Sequence, residues 1–545
     1  MLPWQALTFL AAAAGLAPNA GASDITKLRR LMTDSRLISN ISPCVVGGTN
    51  RINAAEWLRT AFHDAAAYDS GSGTGGIDGS IQYEFGFEDN AGVTFPSTIG
   101  LFKFFQQEGV SLADIVVLGS TVAVGSCGGP MVPFRTGRID ASAPSAKGFL
   151  PSPEGTTESH KQIFARMGFD HSEAITLVAC GHTLGGVHAS VHPDLTSEPH
   201  GSFDGTPANF DNQIAKQHFN KSSALSLNGP WDPAAPGRSS DTRLFNSDNN
   251  VTITRLASSN KAFSHSCGKV LGKMYDTAVP SSVRLSRPIK PFPISGSLRL
   301  SLHNGVYSTM RASFSIYDMA SQWSSFNIKF TNRDGSPGDQ SKMTVCDPHK
   351  LSIGKTIEVH DFAITDIPPT TGIGSFVAKL TMNDGSIFTD TEGEHIIHID
   401  DTVIIDVGQA YTCTYSGEAN QNAAGLNVTM VTLGPYNADD KVSVIVRTKS
   451  GAKLNLKATY RGARDAYYNF YNAFIPDLNA IDFLDFGAQV VKCDGSVHTD
   501  TQDYVYYQTG MLSQCMDGAE TPPPAPECQD TLNRRVPADG RKRMD

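Results

Sequence analysis

The sequence predicts a multidomain protein, in which a mostly α-helical domain is followed by a β-rich, sandwich-like C-terminal region. A chain of 545 residues is too long for one hydrophobic core. Apolar residues recur at helical spacing in the first half, whereas apolar and polar residues alternate in segments beyond about Pro291. A Pro-rich stretch at 286–294 separates the two patterns and predicts a linker.

Helical and strand-like segments support this division. Leu112–Val124 is apolar and follows Ser111, a residue type that caps helices. Further helices are predicted at His160–Met167, at Glu173–Cys180, and where apolar side chains share one face: Ala54, Trp57, Leu58, Ala61, Phe62 and Ala65. In the second half, alternating runs and turn sequences predict strands and hairpins: Phe326–Phe330, Val442–Val446, Asn383–Gly385 and Ser450–Gly451.

Six segments follow from these patterns. The first combines a short apolar run with a small-residue end, as in a signal peptide, and the last is a Pro-rich tail that predicts disorder. The predicted segments are a signal peptide at 1–22, a helical domain at 23–285, the linker at 286–294, β-rich domains at 295–400 and 401–518, and the tail at 519–545.

Two histidines lie in settings that suggest redox chemistry. Arg59 and His63 are four residues apart, so they share one helix face, and Phe62 lies alongside. A cation, a neutral base and an aromatic wall are what heterolysis of an O–O bond requires. The second histidine, His182, lies just beyond the end of a predicted helix.

A Gly-rich loop after the first histidine offers hard oxygen ligands of the kind that calcium prefers, at Asp64, Gly76, Asp78 and Ser80. With these motifs the sequence resembles the plant, fungal and bacterial haem peroxidase superfamily. It is most similar to the secreted fungal class, whose distal motif reads R-x-x-F-H-D-A and whose calcium loop reads G-G-x-D-G-S. The resemblance covers roughly residues 40–280, and its separated motifs occur in the family's order.

The resemblance implies one haem b and assigns residues on both of its faces. His182 would ligate the iron and Phe203 would lie near its imidazole. Asp248 would accept the other N–H of His182, because an acidic residue follows an Arg-Leu pair there. On the peroxide face His63 would move a proton and Arg59 would stabilise charge. Asn90 would accept the second N–H of His63.

A second calcium site is implied on the proximal side, which makes two Ca²⁺ ions in all. The segment 203–211 is similar to the fungal F-D-S-T-P-x-x-F-D motif. With the threonine after the haem ligand, it would supply oxygen atoms from Thr183, Asp204, Thr206, Asn209 and Asp211.

Two specialisations of the fungal class are missing from this sequence. The family's manganese site uses three carboxylates, and the matching positions hold Ile52, Glu56 and His188. The surface tryptophan that relays electrons from bulky aromatics is replaced by Leu177. These absences predict a generic peroxidase for small donors.

Nine cysteines cannot all pair within one chain. The resemblance implies a Cys44–Cys127 bridge, and Cys180 and Cys267 are the other cysteines of the first half. The connectivity of the remaining five cysteines is not deducible.

Composition limits the choice of partners. A net charge of −10 argues against nucleic acid, and no later apolar run reaches membrane-spanning length. The signal peptide predicts a secreted or cell-wall location, and sequons at Asn40, Asn220, Asn250 and Asn427 would then be available for glycosylation.

The resulting prediction is an extracellular haem peroxidase. It would reduce hydrogen peroxide and oxidise phenolic or similar small aromatic donors by one-electron steps through ferryl intermediates. Cell-wall polysaccharide is a candidate partner of the β-rich half. The alternative is a non-catalytic cell-wall or adhesion protein that uses the peroxidase fold as a scaffold.

Overall fold

A computed structural model gives the architecture of the chain. It describes residues 24–500 except 48–49, 108, 194, 221–238, 304–306, 320–321, 407–411, 417–422, 449–451, 464–465, 476–477 and 479–482. The predicted signal peptide, the predicted tail and the predicted turn at Ser450–Gly451 lie outside the described residues.

The first half is helical, as predicted. Its described α-helices are α1 Ile25–Leu31, α2 Ser35–Ile38, α3 Asn53–Ala65, α4 Thr94–Phe105, α5 Leu112–Ser126, α6 Thr157–Arg166, α7 His171–His182, α8 Gln213–Asn220, α9 Ser240–Asn246, α10 Val251–Ala257 and α11 Asn260–Thr277. Short 3-10 helices lie at Ser80–Tyr83 and Glu88–Asn90, and a small antiparallel hairpin joins β1 Gly186–Val187 to β2 Gly201–Ser202.

Local capping explains where two important helices begin. The Ser111 side chain accepts a hydrogen bond from the Asp114 backbone N–H at 3.1 Å and starts α5, as predicted. At α7, Asp170 and Glu173 form a reciprocal capping box, so this helix starts earlier than the apolar pattern indicated. The helix ends at His182, which places that imidazole at its C-terminus.

The second half is built of antiparallel strands. They are β3 Ile294–His303, β4 Tyr307–Tyr317, β5 Trp323–Thr331, β6 Met343–Val345, β7 His349–Ser352, β8 Thr356–Ile367, β9 Ser375–Met382, β10 Ile387–Phe388, β11 Ile397–His398, β12 Val403–Ile405, β13 Cys413–Ser416, β14 Ala423–Leu433, β15 Lys441–Thr448, β16 Lys453–Lys457, β17 Thr459–Ala463, β18 Tyr468–Ile475, β19 Phe483–Val491 and β20 Val497–Asp500.

These strands form four sheets that enclose two hydrophobic cores. One core lies between the β3–β4–β8–β6 sheet, where β7 also pairs with β8, and the β10–β9–β11 sheet, where β5 also pairs with β9. The other lies between β12–β14–β18–β17, with β13 on β14, and β16–β15–β19–β20. The sandwich-like, multidomain prediction is therefore confirmed, and the strand predictions at Phe326–Phe330 and Val442–Val446 fall in β5 and β15.

The turn between β7 and β8 packs into the helical domain. Leu351, Ile353 and Ile357 belong to the hydrophobic core that the helices share. The Ser352 backbone N–H donates to the Ser42 hydroxyl at 2.8 Å. A Cβ atom placed on Gly125 of α5 would lie 2.2 Å from the Ile353 carbonyl oxygen, so only glycine fits there. The first β-sandwich and the helical domain are thus joined by close packing as well as by the linker.

This contact predicts an asymmetric response to two glycine substitutions. Gly125→Ala should lower the free energy of unfolding by about 1–3 kcal/mol, because the added methyl group overlaps backbone that cannot easily move. Gly100→Ala in α4 is the control: nothing lies within 4 Å of its Cβ position, and alanine favours helix by up to about 1 kcal/mol. Chemical denaturation of both variants measures the difference, and equal stability would contradict the packing.

Candidate active site

Arg59 and His63 are joined by a hydrogen bond on one face of α3. The Arg59 Nε–H donates to His63 Nε2 at 3.1 Å, and His63 Nδ1 lies 2.8 Å from Asn90 Oδ1. Because Nε2 accepts from a guanidinium, the proton of the neutral imidazole lies on Nδ1 and is donated to Asn90. The structure thus brings together the three polar residues that were predicted to lie on this side.

Asn90 is held in turn by the loop that leads to it. Its Nδ2 group donates to the backbone carbonyl of Glu84 at 3.1 Å. The Glu84 carboxylate accepts hydrogen bonds from the backbone N–H and the hydroxyl of Ser145, at 2.9 and 2.6 Å. The amide oxygen that faces His63 is therefore fixed by bonds on its other side.

Aromatic rings surround this polar group. Phe62 is half-buried and packs 6.2 Å from Phe164, centroid to centroid. Phe95 of α4 is fully buried; its ring centre lies 4.6 Å from the His63 ring and 4.9 Å from the Arg59 guanidinium carbon. Phe95 is not predicted from the sequence, since it comes from a different helix and no motif marks it.

Burial changes the charge preferences of the two polar side chains. Desolvation lowers the pKa of His63 well below its ordinary value, and the nearby Arg59 cation lowers that pKa further. Burial also lowers the pKa of Arg59 to about 10, against the opposing effect of Glu56. Near neutral pH the pair therefore consists of a neutral base and a cation.

The second histidine has a different carboxylate partner from the one predicted. His182 Nδ1 lies 2.8 Å from Asp241 Oδ2, and Asp241 is buried in the first turn of α9. Asp248 instead follows α9, and its Oδ2 accepts the Thr252 backbone N–H at 3.0 Å at the start of α10. The prediction that Asp248 accepts the N–H of His182 was wrong. It relied on the position of Asp248 after an Arg-Leu pair, and the carboxylate that contacts His182 comes before that pair.

A helical pattern in the sequence could have identified the correct carboxylate. Asp241 shares one helix face with Leu244 and Phe245, three and four residues later, and both are buried. An acidic side chain on the same helix face as buried apolar residues is expected to point into the core, as Asp241 does. Asp248 lies beyond the end of α9 and does not share that face.

His182 fits the role of a haem ligand. Its ring stacks on Phe203 at 4.2 Å with an angle of 10° between planes, as the sequence analysis expected of that position. The Asp241 bond fixes Nδ1, and Nε2 makes no hydrogen bond with any described residue. The helices that carry His182 and His63, α7 and α3, contact each other.

The loop predicted to bind the distal calcium folds around Asp64. This buried carboxylate accepts two backbone N–H groups of the loop, at 2.8 and 3.1 Å, and the Ser80 hydroxyl lies 3.4 Å away. Burial and the neighbouring Asp78 raise the pKa of Asp64 well above its ordinary value, a cost that a bound cation would remove. Gly76 has a φ of +102°, and a Cβ atom placed on it would lie 2.4 Å from the Ala278 carbonyl oxygen, so there is no room for a side chain.

The residues predicted to bind a proximal calcium also lie close together. The Thr206 hydroxyl donates to Asp211 Oδ1 at 3.0 Å, the Thr183 hydroxyl donates to the Asp211 carbonyl at 2.6 Å, and the Asn209 backbone N–H donates to the Thr206 carbonyl at 2.8 Å. Asp204 is buried and its Oδ2 lacks a hydrogen-bond partner among the described residues. Burial, with Asp211 nearby, raises the pKa of Asp204 to about 6.

Both segments would have to bind a cation largely through neutral oxygens. In the described part of the chain, no three His, Cys, Asp or Glu side chains are grouped as a metal site. Hydroxyl and carbonyl oxygens would therefore complete either shell, which is the donor set that calcium accepts.

The residues at the positions of the fungal manganese site and surface tryptophan make other contacts in this structure. Glu56 is buried and forms an ion pair with Arg51, so its carboxylate is already neutralised. His188 Nδ1 lies 3.2 Å from the Pro199 carbonyl, and Leu177 is buried. Neither a carboxylate cluster nor a surface relay is formed by these side chains.

Two disulfide bonds tie the helices together. Cys44–Cys127 joins the segment before α3 to the end of α5, as the resemblance implied. Cys180–Cys267 joins α7, two residues before His182, to α11. Across the described helices, none is long and apolar enough to cross a membrane.

A buried Arg–His pair with an amide partner, and a second histidine with a carboxylate partner, are typical of haem peroxidases. The family model described as "Peroxidase" matches residues 43–261. The chain is 30% identical over 226 residues to "Probable L-ascorbate peroxidase 3, peroxisomal" of Oryza sativa subsp. japonica. The aligned region covers 40% of this chain and 70% of that protein. The chain therefore belongs to the peroxidase family, with an additional strand-rich C-terminal region.

Other relatives match over shorter shares of their length. A "WSC domain-containing protein" of Arthroderma benhamiae is 40% identical over 274 residues, which is 48% of this chain but 37% of that protein. "Putative L-ascorbate peroxidase 6" of Arabidopsis thaliana is 35% identical over 135 residues, 24% of this chain and 41% of that protein. The chain thus spans about two fifths of the length of either relative.

The corrected carboxylate leads to a paired test. In protein purified with haem, Asp241→Ala should weaken haem retention and shift the absorption spectrum of the ferric iron, because the Nδ1–H of His182 loses its acceptor. Outer-sphere partners of this kind typically contribute about 10–100-fold to metal affinity. Asp248→Ala should leave the spectrum unchanged. The reverse pattern would restore the original assignment.

Proposed function

We propose that this chain is an extracellular haem peroxidase that reduces hydrogen peroxide to water and takes one electron at a time from phenolic or similar small aromatic donors. The observation that carries the proposal is the hydrogen-bonded series Arg59–His63–Asn90, in which a neutral imidazole lies against a cation. A structural role alone does not require this costly burial of a guanidinium and a base.

His63 and Arg59 would divide the work of cleaving peroxide. A bound haem would supply the iron that binds peroxide and takes up its two oxidising equivalents. His63 Nε2 would take the proton from the near oxygen and return it to the far oxygen, which leaves as water. Arg59 would stabilise the negative charge that develops on that departing oxygen. Asn90 would keep the Nδ1 proton in place, so that Nε2 stays the basic atom.

On the other side, His182 would hold the iron through Nε2. The Asp241 carboxylate accepts the Nδ1–H, which would make the imidazole a more strongly donating ligand. Phe203, stacked on the ring, would fix its orientation. Calcium at the Asp64 loop would hold the residue next to His63, and calcium at Asp204 would hold the segment after His182.

We also propose a location outside the cell or in the cell wall, with cell-wall polysaccharide as the partner of the β-rich half. The two disulfides and the predicted signal peptide support export. The alternative is a non-catalytic wall protein. The similarity to a WSC domain-containing protein, which is not named as a peroxidase, supports that alternative. The intact Arg59–His63 pair supports catalysis.

The pH dependence of the peroxide reaction tests the roles of the distal pair. The pKa of His63 is depressed, so the neutral base persists on the acid side of its ordinary range and the wild-type rate should fall only well below pH 6.5. Arg59→Leu removes a cation that lowers this pKa, so the fall should move to higher pH. The variant should also react about 10²–10³-fold more slowly. Stopped-flow measurement across pH gives both quantities.

His63→Leu separates proton transfer from charge stabilisation. It should slow the reaction more than Arg59→Leu and remove the pH dependence, because no base remains to titrate. His265→Leu, on the exposed surface of α11, is the matched control and should react normally. A His63→Leu variant with near-normal rates would mean that another base serves.

Donor preference is the second test. Manganese oxidation should be negligible, since Ile52 and His188 replace carboxylates and Glu56 is paired with Arg51. High-potential non-phenolic aromatics should be poor donors, because Leu177 is buried where a surface tryptophan would be needed. Small phenols should be oxidised at a fixed peroxide concentration. Efficient turnover that saturates with micromolar Mn²⁺ would contradict this specificity.

A further inference from the structure

Three tyrosine rings form a column from the core of the second β-sandwich to its surface. Tyr471 of β18 is 5% exposed and belongs to the hydrophobic core. Tyr460 of β17 is its cross-strand partner, with ring centres 5.4 Å apart. Tyr436, in the turn between β14 and β15, stacks on Tyr460 at 4.1 Å with 26° between the planes. The outermost ring, Tyr436, is 49% exposed.

This arrangement gives the outer ring a fixed orientation. An isolated surface tyrosine samples several rotamers, and binding must then restrict it at an entropic cost. Tyr436 rests on a second ring that itself contacts a buried third ring, so little further ordering is needed. A rigid aromatic face at the surface suits a flat and extended ligand.

Polar groups border the exposed ring and limit the kind of ligand. Asn437 follows it directly, and its side-chain oxygen accepts the Asp439 backbone N–H at 3.0 Å. Asp439 is exposed, whereas Asp440 forms an ion pair with Lys492 at 3.1 Å. The two acidic residues are matched by Lys441 and Lys492, so it is the net charge of −10 on the whole chain that disfavours acidic polymers.

We propose that Tyr436 is the stacking platform of a binding site for neutral, β-linked polysaccharide on the second β-sandwich. The flat C–H face of a pyranose ring would lie on the exposed tyrosine face, and its hydroxyl groups would bond to the Asn437 and Asp439 side chains. This site rests on the proposed polysaccharide partner and names the residues that contact it. It is independent of the haem chemistry.

The test is affinity electrophoresis of the purified full chain in native gels that contain hydroxyethyl cellulose, a soluble neutral β-1,4-glucan whose chain is flat and extended. Wild type should be retarded, and Tyr436→Ala should bind about tenfold more weakly, as is common for an aromatic contact at the centre of a site. Tyr436→Phe keeps the ring and should retain binding. Tyr83→Ala is the matched control, because Tyr83 is 47% exposed on the helical domain.

The outcomes distinguish this site from the proposals on which it depends. If wild type binds hydroxyethyl cellulose and Tyr436→Ala binds equally well, the polysaccharide partner stands and the Tyr436 site is overturned. If wild type is not retarded, both are overturned. Tyr436→Ala should still unfold in one cooperative transition, with a melting temperature only slightly below that of wild type, because it loses the stacking contact with Tyr460. Peroxidase activity should be the same in all four proteins.

Discussion

The hydrogen bond between His63 and Asn90 determines what the rest of the distal site can do. A neutral imidazole has one N–H and one basic nitrogen, and its partners decide which is which. With Nδ1–H committed to Asn90 at 2.8 Å, the basic Nε2 faces Arg59. Burial then keeps the ring neutral, and Phe95 packs beside both side chains. Disruption of this bond would alter the tautomer, the alignment and the pKa of His63 together.

The helical domain and the first β-sandwich are physically interdependent. The β7–β8 turn adds Ile353 to the core of the helical domain, and it lies against Gly125 of α5. The turn contacts the helical domain at Ser42 and Gly125. Each of these residues lies two positions before a cysteine of the Cys44–Cys127 disulfide. The first β-sandwich therefore contributes side chains to the hydrophobic core of the helical domain and is not attached to it by the linker alone.

The sequence predicted those features that depend on local spacing. Arg59 and His63 could be placed together because residues four apart share a helix face, and the period change near Pro291 separated helices from strands. Asp241 was missed, although its spacing to Leu244 and Phe245 marks a buried helix face. Phe95 and the Ile353 contact could not be predicted, since each depends on how distant segments pack. The same holds for the tyrosine column, whose rings come from two strands and one turn.

The most direct test of the central claim is the spectrum of purified wild-type protein with haem, before and after stoichiometric hydrogen peroxide. If His182 ligates the iron and His63 stays bonded to Asn90, the ferric haem should be five-coordinate and high-spin. Its absorption bands should then shift within the dead time or the first milliseconds after peroxide is added. A low-spin spectrum with two histidine ligands, or a haem complex that does not react with peroxide, would contradict this account.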